Sequence, residues 1–134
     1  MKECWDEKLK LDYRIWMNDF VQTDEELWET GKRDLNLLLK GLNPEDLSQW
    51  QVLELGCGVG RLLHAAAPLV KELIAVDVSS EALSLARTFT SSNPNISFIQ
   101  CNGTDLKPIK TESVDFGFSF GVLAHVPYMV SASY

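Results

Sequence analysis

Apolar and polar positions follow two different spacings along this chain. In the first part, the segment TDEE places Thr23 where it can cap a helix and Glu26 where it can bond back to the cap. Leucines then recur at helical intervals, which predicts an amphipathic helix from about Asp24 to Lys40, closed by Gly41. Farther along, short apolar runs bounded by turn residues take over, and such runs are typical of buried strands.

Four of these apolar runs predict strands. They are WQVLEL at 50–55, ELIAVDV at 72–78, ISFIQC at 96–101 and SVDFGFSF at 113–120. Helical segments separate the first three strands: one runs from Gly60 to Ala67, and the other is capped by Ser79. Strands that alternate with helices at this spacing form right-handed βαβ units. We therefore predict an α/β fold with a parallel sheet.

Composition and charge argue against several classes of protein. With 134 residues the chain has room for one domain, and its apolar fraction of 46% is that of a folded globular protein. The formal net charge is −7 and the basic residues are scattered, which argues against nucleic-acid binding. Three well-separated cysteines predict reduced thiols without a disulfide or zinc site. Because no apolar run is long enough for a membrane anchor or signal peptide, we expect a cytoplasmic protein.

The segment LELGCGVGR contains glycine at positions 56, 58 and 60, directly after the first predicted strand. In an open parallel sheet, ligands bind beyond the carboxyl ends of the strands. Glycines there allow backbone angles that are closed to other residues, and they let a ligand approach the main chain without meeting a Cβ. A tight turn that uses glycine for packing alone is the alternative. Three glycines exceed that need, so we predict a ligand site.

The residues around these glycines distinguish between kinds of ligand. A phosphate-binding P-loop has lysine and then serine or threonine after its last glycine, whereas Arg61 and Leu62 follow Gly60. A dinucleotide-binding loop needs glycine or alanine at position 61, where Arg61 stands. Glu54, two residues before the first glycine, would repel a pyrophosphate and suits a cationic ligand.

Four segments in order resemble the motifs of the class I S-adenosylmethionine-dependent methyltransferases. LELGCGVGR is similar to that family's first motif, AVDVS to its second, NGTDL to its third and VDFGFSFGVLAHV to the segment around its fourth strand. The resemblance implies a Rossmann-like parallel sheet with flanking helices at 47–134, after a helical amino-terminal lead-in at 1–46. The family's complete fold has seven strands. We therefore expect a domain truncated after the fourth strand, which would lie at an exposed edge and favour self-association.

The resemblance also implies which residues bind the cofactor, S-adenosylmethionine. Glu54 would favour its cationic amino and sulfonium groups, and Asp77 would accept hydrogen bonds from both ribose hydroxyls. Asp105 and the Leu106 amide would contact the adenine. The other implied contacts are Gly56, Cys57, Gly58 and Gly60 in the glycine loop, Val78 on an adenine face, and Phe120 with Gly121 at the methyl-donor end. The alternative roles are a helix cap for Asp77 and a plain turn residue for Asp105.

Methyl transfer to a small-molecule acceptor is the reaction that the resemblance implies, and no residue stands out as catalytic. Cys57 is expected to be a small filler, His64 a surface or packing residue, and His125 a candidate general base, although a loop histidine is more often structural. Four aromatic residues either cover the pocket or pack in the core: Trp5, Tyr13, Trp16 and Trp28.

Two other functions remain open from the sequence. One is a noncatalytic S-adenosylmethionine-binding module, or a half-domain that needs a partner chain. The other is a nicotinamide-dependent oxidoreductase, which Arg61 and the early third glycine disfavour.

Overall fold

The computed structural model describes residues 2–17 and 21–126 of the chain. Within them, five α-helices and four β-strands follow one another, with short 3-10 turns at Ala67–Leu69 and Leu123–His125. The elements are α1 (Lys2–Met17), α2 (Asp24–Leu38), α3 (Pro44–Leu47), β1 (Gln51–Leu55), α4 (Leu63–Ala66), β2 (Glu72–Asp77), α5 (Ser80–Phe89), β3 (Ile96–Gln100) and β4 (Phe116–Phe118).

The four strands form one parallel sheet in the order β3-β2-β1-β4. In the centre, Glu54 of β1 lies opposite Ala75 of β2 on one side and opposite Phe118 of β4 on the other. The predicted α/β fold with a parallel, Rossmann-like sheet is confirmed. Because the strand order reverses beside β1, the crevice where such sheets bind ligands lies at the carboxyl end of β1.

Successive residues of β1 point to opposite faces of the sheet, and each face has its own apolar cluster. Val52 joins a core that also contains Leu35 of α2 and Ala86 of α5. Leu53 faces the other way and packs under the loop between β3 and β4. A third cluster joins α1, α2 and α5 around Leu27. This packing fixes the helices around the carboxyl ends of the strands.

Local sequence signals predicted the starts of two helices correctly and the start of a third wrongly. Thr23 and Glu26 form the predicted capping box of α2, and Ser79 caps α5. The helix expected to begin at Gly60 was wrongly placed, because Gly60 has a φ of 91° and cannot enter an α-helix there. The helix α4 covers only Leu63–Ala66.

Two other predicted elements are shorter than expected. α2 ends at Leu38, two residues early, and β4 covers Phe116–Phe118 instead of 113–120. Only these three residues pair with β1. Before them, Asp115 N donates to Gln51 O at 2.9 Å and the Asp115 side chain accepts from Gln51 N at 2.8 Å. After them, the Ser119 hydroxyl donates to Leu55 O at 2.9 Å. In the part of the chain that the structure describes, β4 is an edge strand, as expected.

The helices of the amino-terminal lead-in pack against the sheet unit. α1 is interrupted at Asp12, where the backbone is extended, and it contacts α5, while α2 contacts α4. The division into segments 1–46 and 47–134 stays a prediction, and residues 127–134 lie outside the described residues. None of the helices that the structure describes has the length and apolar character needed to cross a membrane.

Candidate functional site

A cavity of about 650 Å³ opens at the carboxyl ends of β1 and β2. Its walls are the glycine loop after β1, the start of α5, part of α1 and the segment that follows β4. Most of the predicted cofactor contacts line it, namely Glu54, Gly56, Cys57, Gly58, Asp77, Val78, Phe120 and Gly121. Because ligands of open parallel sheets bind at this place, the cavity is the candidate site.

Left-handed backbone at three glycines shapes the loop between β1 and α4. The φ angle is 76° at Gly56, 55° at Gly58 and 91° at Gly60, so the predicted need for glycine conformations is confirmed. A Cβ on Gly58 would lie 2.5 Å from Met17 Sδ, and a Cβ on Gly56 would collide with the Val122 side chain. The loop glycines therefore also let α1 and the segment after β4 pack directly on the loop.

Asp77 is the last residue of β2 and lines the cavity. Both of its carboxylate oxygens accept hydrogen bonds from backbone amides. Gly58 N donates to Oδ2 at 2.8 Å, and Ser79 N donates to Oδ1 at 2.9 Å. Burial raises the pKa of Asp77 above 3.8, while these two hydrogen bonds oppose the shift. The alternative role of a helix cap belongs to Ser79, whose Oγ accepts from Ala82 N, and Asp77 binds the amide of that cap residue. Each oxygen keeps a second lone pair, so Asp77 retains the capacity to accept from a ligand.

Glu54 projects from β1 into the cavity and is only 2% exposed. Its Oε2 is buried and has no hydrogen-bond partner among the described residues. Burial raises the pKa of Glu54 well above its usual range and Asp77 adds to this, while the positive charge of Arg61 opposes it. A buried carboxylate oxygen without a donor is unfavourable unless a ligand supplies one. Glu54 Oε2 is therefore open to a donor that a ligand supplies.

A buried ion pair on another wall of the cavity was missed by the sequence reasoning. Arg61 Nη1 donates to Asp34 Oδ2 at 2.6 Å and to Thr30 Oγ1 at 3.3 Å. The Arg61 guanidinium also lies 5.1 Å from the centre of the Phe120 ring. Its position directly after the glycine loop was visible in the sequence, but Asp34 lies 27 residues away, so no local pattern indicates the pair.

Side chains of α1 supply aromatic and basic groups to the same cavity. Lys8 Nζ lies 4.7 Å from the ring centre of Trp5 and 4.4 Å from that of Trp16. Trp5 also meets His125 edge to face, with ring centres 5.6 Å apart. These contacts place His125 at the α1 end of the cavity. The hypothesis that aromatic residues cover the pocket is therefore supported for Trp5 and Trp16.

The other two aromatic residues and His64 have packing roles. Tyr13 and Trp28 both contact Phe89 of α5, with ring centres 5.3 Å and 5.2 Å apart. His64 is exposed and its ring stacks on that of Trp28 with ring centres 5.1 Å apart, in line with the surface or packing role expected for it. Burial raises the pKa of the Cys57 thiol well above its usual range, which disfavours the thiolate and supports the filler role.

Three predicted cofactor contacts do not line the cavity. Gly60 faces α5, where a Cβ would lie 3.4 Å from Ala86 Cβ. Asp105 pairs with Lys107 at 2.8 Å in the loop before β4, and Leu106 packs under the sheet. Their roles at the adenine and the loop stay predictions. Among residues 2–17 and 21–126, no group of three or more side chains that could hold a metal ion comes together.

Comparisons with known proteins agree with this arrangement. A protein-family model for a methyltransferase domain matches residues 53–133. The chain is 38% identical over 71 residues to the probable S-adenosylmethionine-dependent methyltransferase CRG1 of Saccharomyces cerevisiae, covering 51% of this chain and 24% of that protein. It is 32% identical over 100 residues to the uncharacterized methyltransferase YcgJ of Bacillus subtilis, covering 73% of this chain and 38% of that protein. The chain thus spans well under half the length of these two relatives.

Two solved structures share the fold at low sequence identity. Phosphoethanolamine N-methyltransferase 1 of Haemonchus contortus, in complex with phosphoethanolamine and S-adenosylhomocysteine, superposes with a TM-score of 0.73 and 21% identity. The match covers 94% of this chain and 26% of that one. Magnesium protoporphyrin IX methyltransferase of Synechocystis PCC 6803, with bound S-adenosylmethionine, gives a TM-score of 0.68 and 17% identity, covering 94% of this chain and 62% of that one.

Proposed function

This chain belongs to the class I S-adenosylmethionine-dependent methyltransferase family, and we propose that it binds S-adenosylmethionine in the cavity and transfers the methyl group to a small-molecule acceptor. The unpartnered Oε2 of Glu54 carries the proposal. The ammonium group of the methionine part would supply the missing N–H donor, and its charge together with that of the sulfonium would favour the ionised carboxylate.

Other cavity residues fit the rest of the cofactor. Asp77 has lone pairs left for the ribose hydroxyls after binding Gly58 N and Ser79 N. The partly buried Val78 follows it and offers an apolar surface to the adenine. Asp105 pairs with Lys107 in the loop before β4, so the adenine contact requires that loop to approach the cavity.

When bound, S-adenosylmethionine would supply an electrophilic methyl carbon for an acceptor lone pair, and the electron pair of the S–C bond would stay on sulfur. The residues of the chain need chiefly to hold the acceptor in line and exclude water, and such positioning accounts for much of the catalysis. His125 lines the cavity and would take the proton of an acceptor that carries one. The phosphoethanolamine present in the nematode structure supports a small molecule as the class of acceptor.

Isothermal titration calorimetry of the chain with S-adenosylhomocysteine tests the binding step. We expect binding by the wild type and an affinity at least about tenfold lower for Glu54→Gln, because the ammonium loses its anionic partner. Glu72→Gln, which changes an exposed carboxylate at the start of β2, is the matched control and should bind like the wild type. Tight NAD binding in place of S-adenosylhomocysteine would favour the nicotinamide-dependent alternative.

Transfer of a radiolabelled methyl group to a panel of small acceptors tests the second step. Turnover supports the methyltransferase assignment for this chain. Cofactor binding without turnover on any acceptor would instead favour the noncatalytic module or the half-domain that needs a partner.

A further inference from the structure

The cavity is lined by acidic and basic groups. Glu54 and Asp77 line it at the ends of β1 and β2. The helices α1 and α2 add Lys8, Arg33 and Asp34, and Arg61 follows the glycine loop, where its charge also acts on Glu54. A molecule in the cavity therefore meets groups of both charges.

Among the basic residues of the cavity wall, Asp34 neutralises only part of the positive charge. Arg61 Nη1 lies 2.6 Å from one carboxylate oxygen of Asp34, and Arg33 Nε lies 3.2 Å from the other. Both Arg61 and Asp34 are buried, so this pair is fixed in place and unavailable to a ligand. Two arginines share one carboxylate, which leaves one positive charge in excess before Lys8 is counted.

Lys8 is a further cation of the cavity wall. Its ammonium lies between the rings of Trp5 and Trp16, and no described carboxylate is within 4 Å of it. Aromatic faces attract a cation, but they do not neutralise its charge or saturate its three N–H donors. The geometry holds a partly buried ammonium at the cavity wall with capacity for an anion.

Large apolar side chains also line the cavity, with Trp16 beside Lys8 and Phe120 beside Arg61. Trp16 is 42% exposed, Phe120 is 40% exposed and Ile15 is 55% exposed, and all three are lining residues. Apolar surface grouped in a cavity beside a few polar groups is typical of a small-molecule site. This surface suits a flat ring rather than a fully polar ligand.

We propose that the end of the cavity formed by α1 binds a small aromatic molecule with an anionic group, and that Lys8 determines this specificity by holding the anion. The inference rests on the proposed function, because the bound molecule would be the methyl acceptor. An anionic acceptor at this end and a cationic methyl donor beside Glu54 would attract each other.

Three probes with one ring system and different charges test the proposal: indole-3-acetate, the neutral indole-3-acetamide and the cationic tryptamine. Binding to the full chain is measured by titration in the presence of S-adenosylhomocysteine and in its absence. We expect indole-3-acetate to bind about fivefold or more tightly than indole-3-acetamide, and tryptamine to bind the most weakly. Lys8→Gln should abolish the preference of acetate over acetamide, and Lys8→Arg should preserve it.

The ratio of the affinities for indole-3-acetate and indole-3-acetamide distinguishes loss of anion binding from disturbed folding of α1. A variant with a disturbed α1 would lose affinity for both probes and keep their ratio, whereas loss of the anion site lowers the ratio alone. Lys10→Gln removes an exposed charge from the same helix and should leave the ratio unchanged. Equal affinities for the three probes, stronger binding of tryptamine, or no binding of any probe at millimolar concentration would overturn the proposal.

The same titrations keep this inference apart from the proposed function. If S-adenosylhomocysteine does not bind but the Lys8-dependent preference persists, the cofactor assignment fails and the anion site stands. If S-adenosylhomocysteine binds and the preference is absent, only the acceptor inference fails.

Discussion

The Gly58 backbone N–H donates a 2.8 Å hydrogen bond to Oδ2 of Asp77, which ties the glycine loop after β1 to the end of β2. The other oxygen of Asp77 accepts from Ser79 N at the start of α5. One side chain therefore fixes the relative positions of the two loops that form the floor of the cavity. A ligand that bonds to Asp77 binds a carboxylate already oriented by the backbone, which reduces the entropy lost on binding.

Replacing Asp77 with Asn should weaken both the ligand site and the fold. The amide group keeps one acceptor oxygen but places N–H groups toward a backbone donor, so we expect the free energy of unfolding to fall by about 1 kcal/mol. S-adenosylhomocysteine binding should weaken by about 1.5 to 3 kcal/mol, since charge-assisted hydrogen bonds to the ribose are lost. Urea unfolding and calorimetry measure the two effects. Asp46→Asn, at an exposed position of α3, is the control, and unchanged affinity in folded Asp77→Asn would remove Asp77 from the site.

Replacing Glu54 with Gln should stabilise the free protein near neutral pH while it weakens ligand binding. Burial raises the pKa of Glu54 well above the ordinary value of 4.5, so the folded state retains a proton that the unfolded state releases as the pH rises. Stability contributed by Glu54 therefore falls as the pH rises above 4.5, until its folded pKa is passed. The Gln variant has no such loss. We therefore expect its free energy of unfolding at pH 7.5 to be about 1 to 3 kcal/mol higher than that of the wild type.

The pH dependence distinguishes this explanation from a general packing effect. Urea unfolding at several pH values should give a difference between Glu54→Gln and the wild type that shrinks as the pH falls toward 4.5 and levels off below it, where Glu54 is protonated in both states. A difference that does not change with pH, or a less stable Gln variant at pH 7.5, would contradict the explanation that burial of the Glu54 carboxylate destabilises the fold.

The sequence predicted the parts of the fold and site that depend on neighbouring residues. Short apolar runs identified the four strands, and Thr23 and Ser79 identified helix starts, because capping depends on residues three positions apart. The glycine spacing likewise indicated the loop at the end of β1. The pairing of Arg61 with Asp34 depends on how α2 packs beside that loop. No spacing along the chain encodes such a contact.

The sequence also could not predict which side chains of the amino-terminal helix face the cavity. Its sequence indicated only a helical lead-in, with aromatic residues that either cover the pocket or pack in the core. Whether Trp5 and Lys8 face the cavity depends on the break in α1 at Asp12 and on the hydrogen bond that Asp6 accepts from the Ser79 hydroxyl. The prediction that a helix begins at Gly60 was wrong, because the left-handed backbone of Gly60 interrupts an otherwise helical pattern.

Gly58→Ala should destabilise the protein for two separable reasons. A left-handed φ of 55° strains any side chain, and the new Cβ would lie 2.5 Å from Met17 Sδ. Gly41→Ala is the matched control, because Gly41 has a φ of 91° and nothing within 4 Å of the new Cβ. We expect Gly41→Ala to cost about 1 kcal/mol and Gly58→Ala to cost at least about 1 kcal/mol more, measured by urea unfolding.

A Met17→Ala background tests the steric part of that prediction. Removing the sulfur should bring the cost of Gly58→Ala close to that of Gly41→Ala, because only backbone strain remains. Equal costs of Gly58→Ala in both backgrounds would show that α1 does not pack on the glycine loop in solution.

The last prediction concerns self-association through β4. This strand pairs with β1 on one side, and no strand pairs with its other side among the residues that the structure describes, so its outer edge presents backbone groups to a second copy. We expect the average mass in sedimentation equilibrium to rise with protein concentration. Gly117→Lys should suppress that rise, because Gly117 is exposed, a Cβ there meets only Leu53 O at 4.0 Å, and a charged edge residue opposes strand pairing. Ser84→Lys adds the same charge on the exposed side of α5 and should associate like the wild type. A wild-type mass that does not change with concentration, or equal suppression by both lysines, would show that the β4 edge is not the associating surface.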